Sequence, residues 1–130
     1  MSLVLTNMCL IINSKGEILL QNRIKNDRPG LNLPGGHVEN NETLIESVKR
    51  EVKEETNLNL IKVEFVGIYE WFNKNTNRRD LAILYKSNEF NGILKSNKEG
   101  INSWYNITNL KKENLSLDLD KVLEVYGIKL

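Results

Sequence analysis

One stretch of the chain, residues 36–58, decides the fold, and it reads GHVENNETLIESVKREVKEETNL. Its second half has the spacing of an amphipathic helix, because Leu44, Val48 and Val52 recur every four positions. Apolar residues at that interval line one face of a helix. We therefore predict a helix from about Leu44 to Thr56.

The two ends of this helix are also marked in the sequence. Thr43 suits the N-cap position, and Glu46 suits the third helical position, so the pair predicts a capping box. Asn57 follows the last helical residue, where a left-handed residue commonly ends a helix. The helix is thus predicted with defined boundaries.

The predicted helix carries an acidic face. Glu51, Glu54 and Glu55 lie at i, i+3 and i+4, so they span an arc of about 100°. Lys49 and Lys53 project to the opposite side and cannot neutralise that arc. One interpretation is an ordinary solvated acidic face. The other is a site for a divalent cation such as Mg2+, which prefers hard oxygen ligands.

A glycine pair precedes the helix. Gly35 and Gly36 allow the backbone to approach a ligand closely, and a free carbonyl there can add a neutral metal ligand. Taken alone, the pair is more typical of a tight turn. Its position just before the acidic helix favours the first interpretation.

The segment resembles the signature of the Nudix hydrolases, G-x5-E-x7-R-E-U-x-E-E-x-G-U, in which U is a bulky aliphatic residue. Eight of its nine specified positions are met here. They are Gly36, Glu42, Arg50, Glu51, Val52, Glu54, Glu55 and Leu58. The departure is Asn57, which replaces a glycine with the next most tolerant residue for left-handed backbone.

The resemblance implies a fold. It predicts one domain over residues 1–130, an α/β (or α+β) chain folded as an α/β/α sandwich around a central mixed sheet. The remaining pattern agrees, since strands outnumber helices. Strands are predicted over residues 3–12, 17–21, 58–72 (as one long or two short strands), 81–85 and 101–107, a closing helix over 118–126, and a polar loop over 23–30.

The resemblance also implies metal-dependent catalysis. It assigns Glu51, Glu54 and Glu55 as ligands of Mg2+, for which Mn2+ is a substitute, together with the carbonyl of Gly35. Glu54 is then a catalytic residue as well as a ligand. Glu99, in the sequence KEG at 98–100, resembles a family glutamate near the metals and is the candidate general base.

Four further residues are assigned around these ligands. Arg50 is counted as catalytic and pairs with Glu42, so that the two hold the loop and helix together. Gly36 supports the loop, and Glu39 is a candidate outer ligand.

The chain looks most like the MutT-type enzymes, which hydrolyse nucleoside triphosphates such as 8-oxo-dGTP to a monophosphate and pyrophosphate. That likeness assigns Arg23 to the phosphates, and Asn32 and Asp118 to the base edge. Arg78 is a further candidate for binding phosphate or base. Each has a structural alternative. Arg23 and Arg78 can be solvated charges, Asn32 can satisfy loop backbone, Asp118 can be a helix N-cap, and Glu99 can be a plain loop residue.

Several other functions stay open. Another Nudix substrate is possible, such as ADP-ribose, a diadenosine polyphosphate, dihydroneopterin triphosphate or an RNA 5′ end, because the signature specifies chemistry rather than leaving groups. A catalytically silent Nudix-like binding module is disfavoured, since every signature carboxylate is present. A structural calcium domain is disfavoured because no dense Asp/Asn loop occurs.

Composition narrows the partners. A net charge of +1 indicates neither a long nucleic acid nor an anionic membrane as partner, so a small nucleotide is expected. The single cysteine, Cys9, lies in an apolar run and is expected to be a buried hydrophobe. We expect a cytoplasmic protein, with a monomer and a homodimer both open.

Overall fold

The computed structural model describes residues 1–23 and 29–130. Most of the polar loop predicted over residues 23–30 lies outside the described residues. Within the described ranges, no helix is both long enough and apolar enough to cross a membrane.

The described parts of the chain contain six strands and two helices. In chain order they are β1 (Ser2–Ile11), β2 (Ile18–Arg23), β3 (Leu31–Asn32), α1 (Leu44–Thr56), β4 (Asn59–Asn73), β5 (Arg78–Asn91), β6 (Gly100–Tyr105) and α2 (Leu119–Val125). Two short 3-10 turns, Ile107–Asn109 and Lys112–Asn114, lie between β6 and α2.

The strands form two three-stranded sheets. The first is mixed and has the order β1-β5-β4, with β1 parallel to β5 and β4 antiparallel to it. The second is antiparallel and has the order β3-β2-β6. An isolated bridge between Ile12, just after β1, and Ile18, at the start of β2, connects the two strands, which belong to different sheets.

Side chains alternate between two cores on opposite faces of the sheets, as strand geometry requires. In β1, Leu10 packs toward α2, whereas its neighbours Cys9 and Ile11 pack toward α1. In β2, Leu20 faces α2 and Leu19 faces α1. The chain is therefore a sandwich with one helix on each side, as the sequence predicted.

The helix α1 has the predicted bounds and the predicted ends. The capping box between Thr43 and Glu46 is present, and Asn57 is left-handed with φ 67°. Its buried side chains include Val48 and Val52. Cys9 is fully buried, and burial raises the pKa of its thiol to about 12, which agrees with the expected role as a core residue.

The strand β5 is longer than the predicted 81–85. Its last residues, KSNEFN over 86–91, are mostly polar and show no buried-strand pattern. They are held by backbone pairing with β4, which is one long strand interrupted by bulges. Side-chain pattern could not reveal this extension, because backbone hydrogen bonds to a partner strand carry it.

Candidate active site

The glycine loop lies against β1 like an added strand. The amide of Cys9 donates to the carbonyl of Pro34 at 3.0 Å, and the amide of Asn7 donates to the carbonyl of Gly36 at 2.9 Å. These long-range bonds give the loop a rigid support. The loop is thereby placed beside the start of α1.

Both glycines are required by close contacts. A Cβ atom on Gly35 would overlap the backbone carbonyl of Asn7, which cannot move without disturbing β1. A Cβ atom on Gly36 would lie 2.5 Å from the carboxylate of Glu51. The loop therefore passes between a strand and a carboxylate with no space for side chains.

Asn7 fastens the glycine loop to α1, and the sequence analysis did not identify it. Its Oδ1 accepts from the amide of Gly36 at 3.1 Å, and its Nδ2 donates to the hydroxyl of Ser47 at 3.0 Å. The side chain is almost wholly buried. A polar residue inside an apolar strand was the signal that could have revealed it.

Arg50 and Glu42 form the main ion pair of the site. Arg50 Nε lies 2.5 Å from Glu42 Oε2, and its Nη2 donates to Oε1 of the same carboxylate at 3.0 Å and to the carbonyl of His37 at 3.1 Å. Hydrogen bonds from Arg50 and from the Glu39 amide lower the pKa of Glu42 to about 2. The pair closes the loop between residues 37 and 50.

Arg50 also contacts the acidic face of α1. Its Nη1 donates to Glu51 at 3.0 Å and to Glu54 at 3.2 Å, and it lies 3.7 Å from Glu39. One guanidinium therefore offsets the mutual repulsion of the carboxylates on this face. Arg50 and the carboxylates of Glu39, Glu42, Glu51 and Glu54 thus form a single charged network.

Glu55 is the buried member of the acidic face. The amide of Gly35 donates to the two carboxylate oxygens of Glu55 at 3.3 and 3.4 Å. Burial raises the pKa of Glu55 to about 8, and the positive charge of Arg23 works in the opposite direction. Burial also raises the pKa of Glu51. A cation in this position would relieve both carboxylates of their unfavourable desolvation.

The structure places Glu99 beside the acidic face of α1. A cleft of about 450 Å³ is lined by Glu39, Arg50, Glu51, Glu54, Glu55, Asn97, Lys98 and Glu99. The loop before β6 thus meets α1, although more than forty residues separate Glu54 from Glu99 in the sequence. Proximity of Glu99 to the acidic face is the arrangement that the sequence analysis expected.

The two candidate phosphate residues lie beside the glycine loop. Arg23 and Arg78 line a second cavity of about 200 Å³ together with Gly35, Gly36 and Trp71. Within the described residues, Arg23 Nε is buried without a hydrogen-bond partner. Arg78 is partly engaged, because it pairs with Asp80 at 2.9 Å.

The two candidate base-reading residues behave differently. Asp118 occupies the N-cap position of α2, but its side chain makes no capping bond. It instead accepts from Trp71 Nε1 at 3.1 Å and lies 3.5 Å from Lys121, and it lines a groove with Trp71. Asn32 is buried, and its Oδ1 accepts from the amide of Leu33 at 2.9 Å. That contact is the structural alternative considered for Asn32.

Comparison with known proteins decides the family. The NUDIX domain family matches residues 3–126, nearly the whole chain. The chain belongs to the Nudix family. It is accordingly a Nudix pyrophosphohydrolase that acts on diphosphate substrates.

Named relatives of this Nudix enzyme differ in their activities. An ADP-ribose pyrophosphatase from Methanocaldococcus jannaschii is 32% identical over 118 residues, which cover 89% of this chain and 69% of the relative. The phosphatase NudJ of Escherichia coli is 31% identical over 61 residues, 47% of this chain and 40% of that protein. Both names denote enzymes that hydrolyse phosphate bonds, and they do not identify one common substrate.

Solved structures show the same Nudix fold. A MutT NUDIX hydrolase from Burkholderia pseudomallei superposes with a TM-score of 0.84 at 21% identity, covering 95% of this chain and 98% of that one. A MutT protein from Methanosarcina mazei Go1 gives 0.73 at 30% identity, covering 88% and 85%. The fold is therefore that of MutT-like Nudix proteins.

Nudix hydrolases generally use divalent metal ions, and the residues present suit one. The donors are carboxylate oxygens around a buried glutamate, which is the chemistry that Mg2+ and Mn2+ prefer. Among the described residues, no three such side chains already stand together as a formed metal site. The ion pairs of Glu51 and Glu54 with Arg50 explain this, because they turn both carboxylates toward the guanidinium.

Proposed function

We propose that this Nudix enzyme hydrolyses a nucleoside triphosphate to a monophosphate and pyrophosphate in a reaction that depends on Mg2+, or on Mn2+ as a substitute. Oxidised purine nucleotides such as 8-oxo-dGTP are the leading substrates. The observation that carries the proposal is the shared cleft, in which Glu99 faces the carboxylates of α1 beside the glycine loop. The expected setting is the cytoplasm, and residues 1–130 would act as one domain.

The metal ligands in this proposal are Glu51, Glu54, Glu55 and the carbonyl of Gly35. A divalent cation held there would neutralise charge on the diphosphate oxygens and polarise the bond to be cleaved. Glu55 is already buried and held by the Gly35 amide, so it would anchor the ion. Glu51 and Glu54 would turn away from Arg50 to complete the set.

The chemical step assigns a separate task to Glu99. As general base, it would accept a proton from the attacking water while that water bonds to phosphorus and the bridging P–O bond breaks. Arg50 would keep Glu51 and Glu54 oriented and would balance their charge before the ion binds. Gly36, Glu39 and Glu42 would support this arrangement from the loop.

The substrate would lie along the glycine loop and the neighbouring groove. Arg23 and Arg78 would bind phosphate oxygens, and their place in the lining of the cavity beside Gly35 supports this role. Trp71 and Asp118 continue that surface and would contact the base. For Asn32 the contact with Leu33 favours a loop-supporting role over base recognition.

ADP-ribose is the second candidate substrate. The observation in its favour is the relative named ADP-ribose pyrophosphatase, which aligns with 89% of this chain. Its diphosphate could occupy the same cation-dependent site, since the carboxylate cluster does not distinguish the group beyond the second phosphate. The two candidates therefore differ only in the groove that holds the rest of the substrate.

A substrate panel with product analysis tests the proposal. We expect Mg2+-dependent release of pyrophosphate from 8-oxo-dGTP with a kcat/KM above those for dGTP, ADP-ribose and diadenosine tetraphosphate. Glu54→Gln should lower kcat by orders of magnitude and leave the fold intact. A preference for ADP-ribose would replace the leading substrate, whereas full activity after exhaustive chelation would refute metal-dependent hydrolysis.

A homodimer remains part of the proposal. Phe65, Ile68 and Phe72 are exposed on one strand, β4, at the edge of the mixed sheet. Side chains of this size, covered by a second copy, would bury about 300 Å² of apolar surface per protomer. A standard interface buries about 800 Å² on each partner, so neighbouring residues of β4 would have to contribute the rest. Sedimentation analysis distinguishes this dimer from a monomer.

A further inference from the structure

The end of α1 is capped by the segment that carries Glu99. The last carbonyls of a helix have no partner inside the helix and need one from elsewhere. Here Asn97 Nδ2 donates to the carbonyl of Glu54 at 3.3 Å, and Asn102 Nδ2 donates to that of Glu55 at 2.8 Å. The amide of Lys95 donates to the carbonyl of Thr56 at 3.0 Å. The loop before β6 is thus attached directly to the helix that bears the acidic face.

Asn97 makes the connection that matters most for Glu99. Its Oδ1 accepts from the amide of Glu99 at 2.9 Å and from the amide of Gly100 at 3.2 Å. The backbone amide of Asn97 donates to the carbonyl of Gly100 at 3.1 Å. The Nδ2 of the same side chain reaches the carbonyl of Glu54. One side chain therefore joins the backbone of Glu99 to the backbone of Glu54.

The contacts of Asn97 fix the distance between Glu99 and the carboxylates of α1, and the proposed catalysis depends on that distance. Glu99 is exposed on a loop, so the place of its carboxylate follows from the place of its backbone. A catalytic group held on a loop is useful only when its distance from the reacting atoms is kept within a narrow range. Without the Asn97 side chain, the Glu99 turn would keep the backbone bond between residues 97 and 100 but would lose the acceptor of two amides and the contact with Glu54.

We propose that Asn97 is a positioning residue that holds Glu99 at its working distance from the carboxylates of α1. This inference rests on the proposed function, in which Glu99 and Glu54 act on the same diphosphate. Asn97 touches neither substrate nor metal in this scheme. It acts through the Glu99 backbone, and it should therefore affect kcat much more than KM.

The first test replaces Asn97 by Ala. We expect kcat to fall between about 10-fold and 100-fold, since small displacements of catalytic groups have effects of that size. KM should change by less than about 3-fold, because the arginines at the phosphates are untouched. An unchanged kcat in Asn97→Ala would overturn the inference.

The chain offers a matched control at Asn13. Its Oδ1 accepts from the amides of Lys15 and Glu17 at 3.0 and 2.9 Å, and its Nδ2 donates to the Glu17 carboxylate. The hydrogen-bonding pattern resembles that of Asn97, but the turn lies between β1 and β2. Asn13→Ala should leave kcat within about 2-fold of wild type. An equal loss of kcat in both variants would mean that a general loss of stability explains the effect.

A second variant separates the two acceptor contacts of the Asn97 side chain from its donor contact with Glu54. Asn97→Asp keeps an oxygen acceptor for the amides of Glu99 and Gly100 but loses the donor to Glu54. Amide hydrogen exchange measured on metal-free protein reports the contacts of Asn97 with the Glu99 and Gly100 amides without any activity assay. Exchange at Glu99 and Gly100 should become faster in Asn97→Ala and stay close to wild type in Asn97→Asp. Unchanged exchange in Asn97→Ala would contradict the positioning role.

A double-variant cycle links Asn97 to Glu99. If Asn97 acts through Glu99, then adding Asn97→Ala to Glu99→Gln should lower kcat by less than about 2-fold further, so the two effects should not add. Fully additive losses would refute the inference. Wild-type activity in Glu99→Gln and Glu54→Gln would refute the proposed function instead, so the two failures are distinguishable.

Discussion

Arg50 is the residue at which the charges of the site converge. Its guanidinium contacts Glu42 on the loop and both Glu51 and Glu54 on the acidic face of α1. In the proposed function, the contact with Glu42 is permanent, whereas those with Glu51 and Glu54 are exchanged when the cation binds. The lowered pKa of Glu42 is caused mainly by its hydrogen bonds with Arg50 in this pair.

The Glu42–Arg50 pair should make stability depend on pH in acid. The pKa of Glu42 falls from an ordinary 4.5 to about 2, so its stabilisation is present above pH 4.5 and is lost as the pH falls through 2. Glu42→Gln removes the titrating charge. We expect the difference in urea midpoint between wild type and Glu42→Gln to be constant near neutral pH and to shrink below about pH 5. A difference that stays constant down to pH 3 would contradict this pairing.

Asn57 is the position where the sequence departs from the Nudix signature. Its left-handed backbone suits glycine, but its Nδ2 also donates to the carbonyl of Ile93 at 2.9 Å. Asn57→Gly should relieve backbone strain and lose two exposed side-chain hydrogen bonds, to Ile93 and from Lys53, so unfolding free energy should change by less than about 1 kcal/mol. Asn57→Ala loses both bonds and keeps the strain, so it should be the less stable variant. Thermal denaturation compares the two, and a higher stability for Ala would show that this account is wrong.

At the scale of elements, the glycine loop and α1 act as one unit. β1 supports the loop through backbone hydrogen bonds, and Asn7 connects it to Ser47 on the helix. The carboxylates proposed to bind the metal are therefore held in place both by α1 itself and by the loop that β1 supports. A change in the loop should be transmitted to the carboxylates.

The two loop glycines should respond differently to alanine. In Gly36→Ala the new Cβ meets the movable carboxylate of Glu51, so activity should fall at least about 10-fold with a stability loss below about 1 kcal/mol. In Gly35→Ala the Cβ meets the backbone of Asn7, so the protein should lose about 2 kcal/mol or more of stability. Urea denaturation and Mg2+-dependent turnover measure both quantities. Equal stability losses would contradict the distinction.

At the scale of the whole molecule, the proposed substrate groove crosses from one side of the sandwich to the other. The carboxylates belong to α1, whereas Asp118 precedes α2 on the opposite face. Trp71 connects the two, because it lines both the cavity beside the glycine loop and the groove at Asp118. Chemistry and substrate selection are thus assigned to different faces.

This separation predicts how substrate choice can be altered. Asp118→Ala should lower kcat/KM for 8-oxo-dGTP by an amount equivalent to about 1–3 kcal/mol, through the lost contact with the base and with Trp71. The loss for dGTP should be smaller, and the Mg2+ dependence should be unchanged. Asn32→Ala should chiefly reduce stability, because its contact is with the Leu33 amide. Equal losses of kcat/KM for both nucleotides in Asp118→Ala would remove it from base recognition.

The sequence by itself determined the parts that depend on neighbours in the chain. The bounds of α1, its capping box and its acidic face follow from residues three or four positions apart, and such interactions are local. The Nudix signature identified the glycine loop and the family for the same reason. Glu99 was predicted as the general base through resemblance, and the structure places it in one cleft with the acidic face.

Only the tertiary structure decided the contacts between distant segments. The length of β5 and the division of the strands into two sheets carry no periodic signature. Asn7 and Asn97 acquire their partners across forty and forty-three residues. An asparagine can donate and accept in almost any setting, so its partners become known only when the packed elements bring them together.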